Sequence, residues 1–150
     1  MARRLRLVLL HLVVAAMVIS LAPAWAASEA ELRLFATKAG LVDIAGFVET
    51  VQNLTAGHRL PARYATKAQA SALRWRPGTD LCQVAPGRVI GGDIFANRER
   101  RLPVLPVGRY READLDYACG DRGTHRLIYA GSGPLYVTVD HYRTFQPVPP

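Results

Sequence analysis

Residues 109–116 read Arg109-Tyr110-Arg111-Glu112-Ala113-Asp114-Leu115-Asp116, and their alternation decides the architecture. Side chains two apart share one face of a strand. Ala113 and Leu115 therefore point to one side. Glu112, Asp114 and Asp116 point to the other, about 7 Å apart along the chain. The same period recurs in Arg88–Phe95, Thr124–Ala130 and Leu135–Tyr142, with turn residues between them. Upstream the period is helical: Leu41, Ile44, Phe47, Val48, Val51 and Leu54 line one face, Gly57 ends it and Pro61 blocks continuation. Thr66 with Gln69 caps a short second helix over Lys67–Arg74. Helices first and strands after predict an α+β domain, with N-terminal helices packed on a C-terminal antiparallel sheet of four to five strands.

Length and composition narrow the remainder. The chain has 150 residues, half of them hydrophobic, with a net charge of +7 from 19 bases and 12 acids. That suits one domain with a real core, and excludes global disorder and collagen-like repetition. All the bases but Lys38 and Lys67 are arginine, whose planar fork suits bidentate phosphate contacts.

The N-terminus reads as a targeting segment. Arg3, Arg4 and Arg6 precede a largely apolar run from Leu7 to Ala22, and Ala24-Trp25-Ala26 follows. A charged start, an apolar stretch and an A-x-A site predict a secretory signal peptide over residues 1–26. The alternative is a retained anchor, for which the apolar run falls short of the roughly 20 residues of a spanning helix. Cleavage removes three Arg and no acid, leaving 16 bases against 12 acids. Residues 27–40 read as an N-terminal extension or pro-segment, with a capping box at Ser28 and Glu31 and a stop at Gly40. The main domain is 41–150. Export makes Cys82 and Cys119 a disulfide pair, since an even count in an oxidising compartment is normally bonded. Neither has a second Cys or His close by, as a metal site would need.

Groups able to move protons are few. Beyond residue 26 the histidines are His58, His125 and His141. His58 follows the predicted helix end, where a cation favours the helix dipole. His125 sits at a strand start and reads as exposed and uninformative. His141 lies in the last predicted strand between polar residues, and one His alone is weak evidence. The row of carboxylates needs cations, and Arg122 and Arg126 come one turn later. On pattern alone that face is equally an ion-pair ladder in water or an acid–base site with an anion-binding rim.

One resemblance separates these readings. His58-Arg59-Leu60-Pro61, Tyr64-Ala65-Thr66-Lys67, Val84-Ala85-Pro86-Gly87, Ile90-Gly91-Gly92-Asp93-Ile94-Phe95, Asn97-Arg98-Glu99, Arg111-Glu112-Ala113-Asp114, Arg126-Leu127-Ile128-Tyr129 and Asp140-His141-Tyr142 run collinearly over about two-thirds of the chain. In this the sequence resembles the barnase-like family of secreted bacterial guanyl-preferring ribonucleases. The resemblance implies cleavage of single-stranded RNA 3′ of guanosine, by 2′-hydroxyl attack through a 2′,3′-cyclic phosphate, with neither metal nor cofactor. It makes Glu112 the general base, His141 the general acid, and Lys67, Arg122 and Arg126 the phosphate-binding cations, with Asp114 orienting the arginines. It makes Phe95, Asn97, Arg98 and Glu99 a guanine loop, in which Glu99 would accept from the base, with Tyr142 lying against it. The Cys82–Cys119 bond would lie at the sheet edge away from the cleft. It further implies a secreted monomer acting on RNA and a barstar-like acidic intracellular inhibitor. The alternatives are a secreted basic RNA-binding protein without turnover and an antibacterial toxin module.

Several residues depart from that family's pattern. Ala96 replaces a serine in the guanine loop, Asp121 replaces an aromatic beside Arg122, and Gly131, Gly133 and Pro134 replace bulkier residues. The closing Pro147-Val148-Pro149-Pro150 is expected not to extend a hydrogen-bond ladder.

Overall fold

The computed structural model describes residues 26–150, so all but the last residue of the signal segment expected over 1–26 lies outside the described residues. Two helices, α1 (Glu29–Ala39) and α2 (Ile44–Gly57), precede a short strand β1 (Tyr64–Ala65) and a one-and-a-half-turn helix α3 (Lys67–Ala72). A 3-10 turn (Leu81–Gln83) leads into β2 (Val89–Ile94), β3 (Arg111–Asp114), β4 (Arg126–Tyr129), β5 (Tyr136–Thr138) and β6 (Gln146–Pro147). The sheet has six strands in sequential order. All pairings are antiparallel except β1 with β2, which is parallel.

Local chemistry sets the helix bounds. Ser28 and Glu31 close a full capping box on α1, and Gly40 ends it in the left-handed region. Asp43 caps α2, so the helix starts three residues later than the apolar period suggests; Leu41 still packs in the core. His58 is the C-cap of α2, with φ 54°. Thr66 and Gln69 form the second capping box, and α3 stops at Ala72 rather than at Arg74.

Both long helices cover one face of the sheet. Leu32, Ala36 and Ala39 of α1 and Phe47, Val48, Val51 and Leu54 of α2 meet Ala113, Leu115, Leu127, Tyr129 and Val137 in one buried cluster. The stretch 27–40, set apart by its sequence, thus contributes a helix whose apolar face lies in the main core. The opposite sheet face carries Glu112, Asp114, Arg126, Ile128 and Thr138, all buried. Its polar residues are not a solvated ladder. Register sets Asp114 directly across from Arg126 and Glu112 across from Ile128.

Two glycines shape the centre of the sheet. At Gly91 an added Cβ would come within 2.5 Å of the Tyr64 ring and 3.0 Å of the Ala113 Cβ. Gly92 has φ +97°, and the β2–β3 register slips between Gly91 and Asp93. This bulge lets the Asp93 carboxylate accept the Lys67 backbone N–H at 2.9 Å, fixing the start of α3.

Other expectations need correction. Asp116 does not continue the face of Glu112 and Asp114. It lies beyond β3 with φ 57° and accepts the backbone N–H groups of Val42 (3.1 Å) and Asp43 (2.7 Å). His125 is only partly exposed and engaged, with Nδ1 2.6 Å from the second Asp116 oxygen. Together they join the α1–α2 corner to the sheet. The last long strand stops at Thr138, so His141 and Tyr142 stand on a turn with φ 59° and 69°. Pro147 does sit in a ladder: β6 is an edge strand, where a missing N–H is tolerated.

The Cys82–Cys119 disulfide is present, with the half-cystines separated by 37 positions. It ties the 3-10 turn to the loop after β3. Chain entropy assigns such a loop roughly 3–4 kcal/mol. Reduction should lower the melting temperature by about 10–15 °C for a domain of this size. Circular dichroism with and without reductant measures it, and an unchanged transition would show that the bond contributes nothing.

Candidate active site

The site begins with a buried carboxylate that needs partners. Asp114 on β3 is 1% exposed. A lone charge there would be very costly, so the chain supplies two guanidinium groups. Arg122 donates from Nε and Nη2 to the two Asp114 oxygens at 2.6 and 2.7 Å, a bidentate fork. Arg126 places Nε 2.9 Å from Asp114 Oδ1, at an angle too poor for a hydrogen bond. Its terminal nitrogens donate to the carbonyls of His125 (2.7 Å) and Gly123 (3.0 Å). Arg126 thus braces the loop that carries Arg122. Arg122 belongs to that loop, and Arg126 opens β4.

Two residues before Asp114, Glu112 faces the same way and is also buried. Lys67, at the start of α3, donates from Nζ to Glu112 Oε1 at 2.9 Å. The Tyr142 hydroxyl donates to Oε2 at 2.7 Å. Burial pushes the Glu112 carboxyl up, but the two hydrogen bonds and the positive charges of Lys67 and Arg126 outweigh it and hold it below the usual glutamate range. Burial and the bond to Glu112 push the Tyr142 hydroxyl up to about 12, so it remains a neutral donor. Sequence reading gave Tyr142 only a stacking role. Its ring does stack, on Phe95, with centroids 5.3 Å apart. Its contact with Glu112 depends on the positive φ of the turn, which no local pattern reveals.

That turn is built by Asp140, a residue passed over in the sequence. Its carboxylate accepts from the backbone N–H groups of Arg143 (3.0 Å) and Thr144 (2.9 Å) and from the hydroxyls of Thr144 (2.6 Å) and Thr138 (3.0 Å). Thr144 above all, through both bonds, holds this carboxyl down at about 2. Thr138 in turn accepts the Tyr142 N–H at 3.0 Å. An Asp flanked by Thr138 and Thr144 was the signal available, because Asp and Thr side chains organise turns. The exposed His141 ring lies 5.1 Å from that of Tyr142. The structure gives His141 no hydrogen bond to Glu112.

The 95–99 stretch forms a separate cleft beside this cluster. Phe95, Arg98, Glu99, Arg101, Tyr142 and Phe145 line a volume of about 360 Å³. Asn97 does not aim its amide into the cleft. It donates to the Leu102 carbonyl (2.8 Å) and accepts the Leu102 N–H (3.1 Å), closing the loop. The exposed Glu99 carboxylate is engaged by Arg101 Nε at 2.6 Å. Arg101, also missed in the sequence, donates to the Arg143 carbonyl too, so it straps the 95–99 loop to the His141 turn. Elsewhere among the described residues, Asp80, Cys82 and Cys119 lie close enough to suggest a metal, but both sulfurs are consumed in the disulfide.

A buried carboxylate held ionised, three cations paired to carboxylates on the same sheet face, and an exposed imidazole beside Tyr142 suit proton transfer at a phosphorus centre. Comparison with known proteins agrees. The ribonuclease family model matches residues 49–149, and the chain belongs to that family. It is 51% identical over 88 residues to a ribonuclease of Heyndrickxia coagulans, a match covering 58% of this chain and 81% of that one. A ribonuclease of Bacillus intermedius is also 51% identical over 88 residues, covering 58% of this chain and 54% of that protein. The guanyl-specific ribonuclease St of Saccharopolyspora erythraea is 38% identical over 56 residues, covering 37% of this chain and 55% of that protein.

Tyr142→Phe should raise the titration midpoint of Glu112, since the lost hydrogen bond favours the charged form. Carboxyl carbon chemical shifts followed by NMR across acidic pH report this directly. An unmoved or lowered midpoint would show that the bond does not act on Glu112.

Proposed function

We propose that the protein is an exported endoribonuclease that cuts single-stranded RNA on the 3′ side of guanosine. The observation that carries this reading is the buried Glu112, held ionised by Lys67 and Tyr142 beside arginines fixed on Asp114. Glu112 takes the proton of the ribose 2′-hydroxyl, and that oxygen forms a bond to the adjacent phosphorus. The bond from phosphorus to the 5′-oxygen breaks. Protonated His141 gives its proton to the departing oxygen, leaving a 2′,3′-cyclic phosphate. Water opens the ring with the two roles exchanged.

Lys67, Arg122 and Arg126 supply the positive charge that the growing negative charge on the non-bridging oxygens requires. All three are already paired with carboxylates, so they need little reorganisation when substrate arrives. DNA offers no 2′-hydroxyl and is not cut. The exported location rests on the N-terminal pattern and the disulfide.

Base choice belongs to the 95–99 cleft. Its aromatic walls, Phe95 and Tyr142, take a purine face. Glu99 accepts from guanine N1–H and its exocyclic amine. Its partnership with Arg101 is a surface ion pair of the kind that contributes at most about 1 kcal/mol, so guanine displaces it readily. Adenine lacks a donor at N1 and leaves the carboxylate without that gain. The guanyl-specific name of the Saccharopolyspora relative supports the same preference.

Incubation with defined GpN and ApN dinucleotides, with products identified, tests this reading. GpN should give guanosine 2′,3′-cyclic phosphate. Glu112→Gln and His141→Gln should each lower kcat by at least about a hundredfold, the usual scale of general acid–base catalysis. Glu99→Ala should narrow the GpN to ApN ratio while cleavage persists. Wild-type rates in His141→Gln would overturn the assignment of the acid.

A further inference from the structure

A second cleft shares a wall with the 95–99 loop and has no part in the reading above. It encloses about 440 Å³ on the other side of Phe95, Ala96 and Asn97, and the 103–110 loop forms its far wall. Tyr110 makes its floor, buried, with its hydroxyl donating to the Pro103 carbonyl at 3.0 Å and its own carbonyl accepting the Phe95 N–H at 2.9 Å. Both ends of the loop that forms the far wall are therefore tied down.

Its chemistry is unusual for a surface. Ile94 is 51% exposed and Val104 78% exposed, and both line the cleft, with Leu105 between the walls. Exposed large apolar side chains gathered at one concavity mark a binding site more often than chance. The rim carries Arg100 and Arg109, and neither makes an ion pair among the described residues. An apolar slot with uncompensated guanidinium groups at its edge complements a flat apolar ring joined to an anion. Base stacking on apolar side chains tolerates any sequence, and Arg holds phosphate.

The wall it shares selects which nucleotide sits there. The cleft touches the base-reading loop through Phe95, Ala96 and Asn97, but includes none of Lys67, Arg122, Arg126 or His141. A strand with guanine in the first cleft and its 3′ phosphate on that cation cluster has only its 5′ side left to continue past this wall. We infer that this cleft is a subsite for the nucleotide 5′ of the guanosine, with the base against Ile94, Val104 and Leu105 and its linking phosphate on Arg100 and Arg109. The inference rests on the proposed guanosine-directed cleavage and extends it to longer substrates.

Kinetics on GpC and on UpGpC distinguish the two. The wild-type protein should cleave UpGpC after G with kcat/KM about tenfold above GpC, mostly through a lower KM. The double variant Arg100→Ala/Arg109→Ala, and separately Val104→Ser, should remove most of that advantage and leave GpC cleavage unchanged; none of these side chains belongs to the acid–base cluster. Equal rates on the two substrates in the wild type would overturn the subsite while the cleavage reading stands. Failure to cut either substrate would overturn the cleavage reading and the subsite with it. Binding to phosphatidylglycerol vesicles that the same variants abolish, with the UpGpC advantage intact, would assign the patch to a membrane surface and overturn the proposal.

Discussion

Burying Asp114 is the constraint from which the site follows. A carboxylate at 1% exposure on a sheet face demands cations within hydrogen-bond reach. Register supplies one by pairing Asp114 with Arg126 across β3 and β4. The loop before β4 supplies the other, because Arg126 braces its carbonyls and so delivers Arg122 as a bidentate partner. One aspartate then anchors two arginines, and the local balance is positive. Glu112 and Lys67 add one charge of each sign and leave that balance unchanged. The result is a folded surface already shaped for an anion, with its side chains locked before any ligand arrives.

The same constraint accounts for the two layers of the fold. Strand alternation gives one face to Ala113, Leu127 and Val137 and the other to Glu112, Asp114 and Arg126. Helices α1 and α2 cover the first face and supply the burial that the polar face cannot. Asp116 and His125 stand where the two layers meet, tying the α1–α2 corner to the ends of β3 and β4. The disulfide fastens the loop after β3 from the other side. Arg122 thus lies on a loop held on one side by the disulfide at Cys119 and on the other by His125.

Much of this was legible in the residues. Period two over 109–116 and 124–130 placed the carboxylates and Arg126 on facing strands, and both capping boxes announced their helices. The cysteine pair was readable from its even count and the export pattern. What escaped depended on backbone dihedrals or long-range partners. Asp116 seemed to continue the alternation, but its φ of 57° turns it away toward Val42 and Asp43. His125 looked exposed because its partner is the misplaced Asp116. Tyr142 was a ring in a strand until the turn at 140–142 aimed its hydroxyl at Glu112. The way Asn97 closes its loop was not legible, since its amide fits the Leu102 backbone, a contact across five positions that no periodicity encodes.

Much of what escaped gathers where the backbone is least relaxed. Asn97, Arg100, His141 and Tyr142 all have positive φ, a conformation costing a non-glycine residue about 1 kcal/mol or more. Such strain persists only when neighbouring bonds over-determine it, and here they do. Asp140 gathers four donors around one turn, and Asn97 makes two bonds to a single peptide group. Arg101 then straps the two loops together through Glu99 and the Arg143 carbonyl. An unstrained turn would satisfy stability more cheaply but would present His141, Tyr142 and the 95–99 wall in other directions. Local propensity therefore fails at these loops for the same reason that they can form a site: long-range polar contacts, rather than the preferences of single residues, fix their shape.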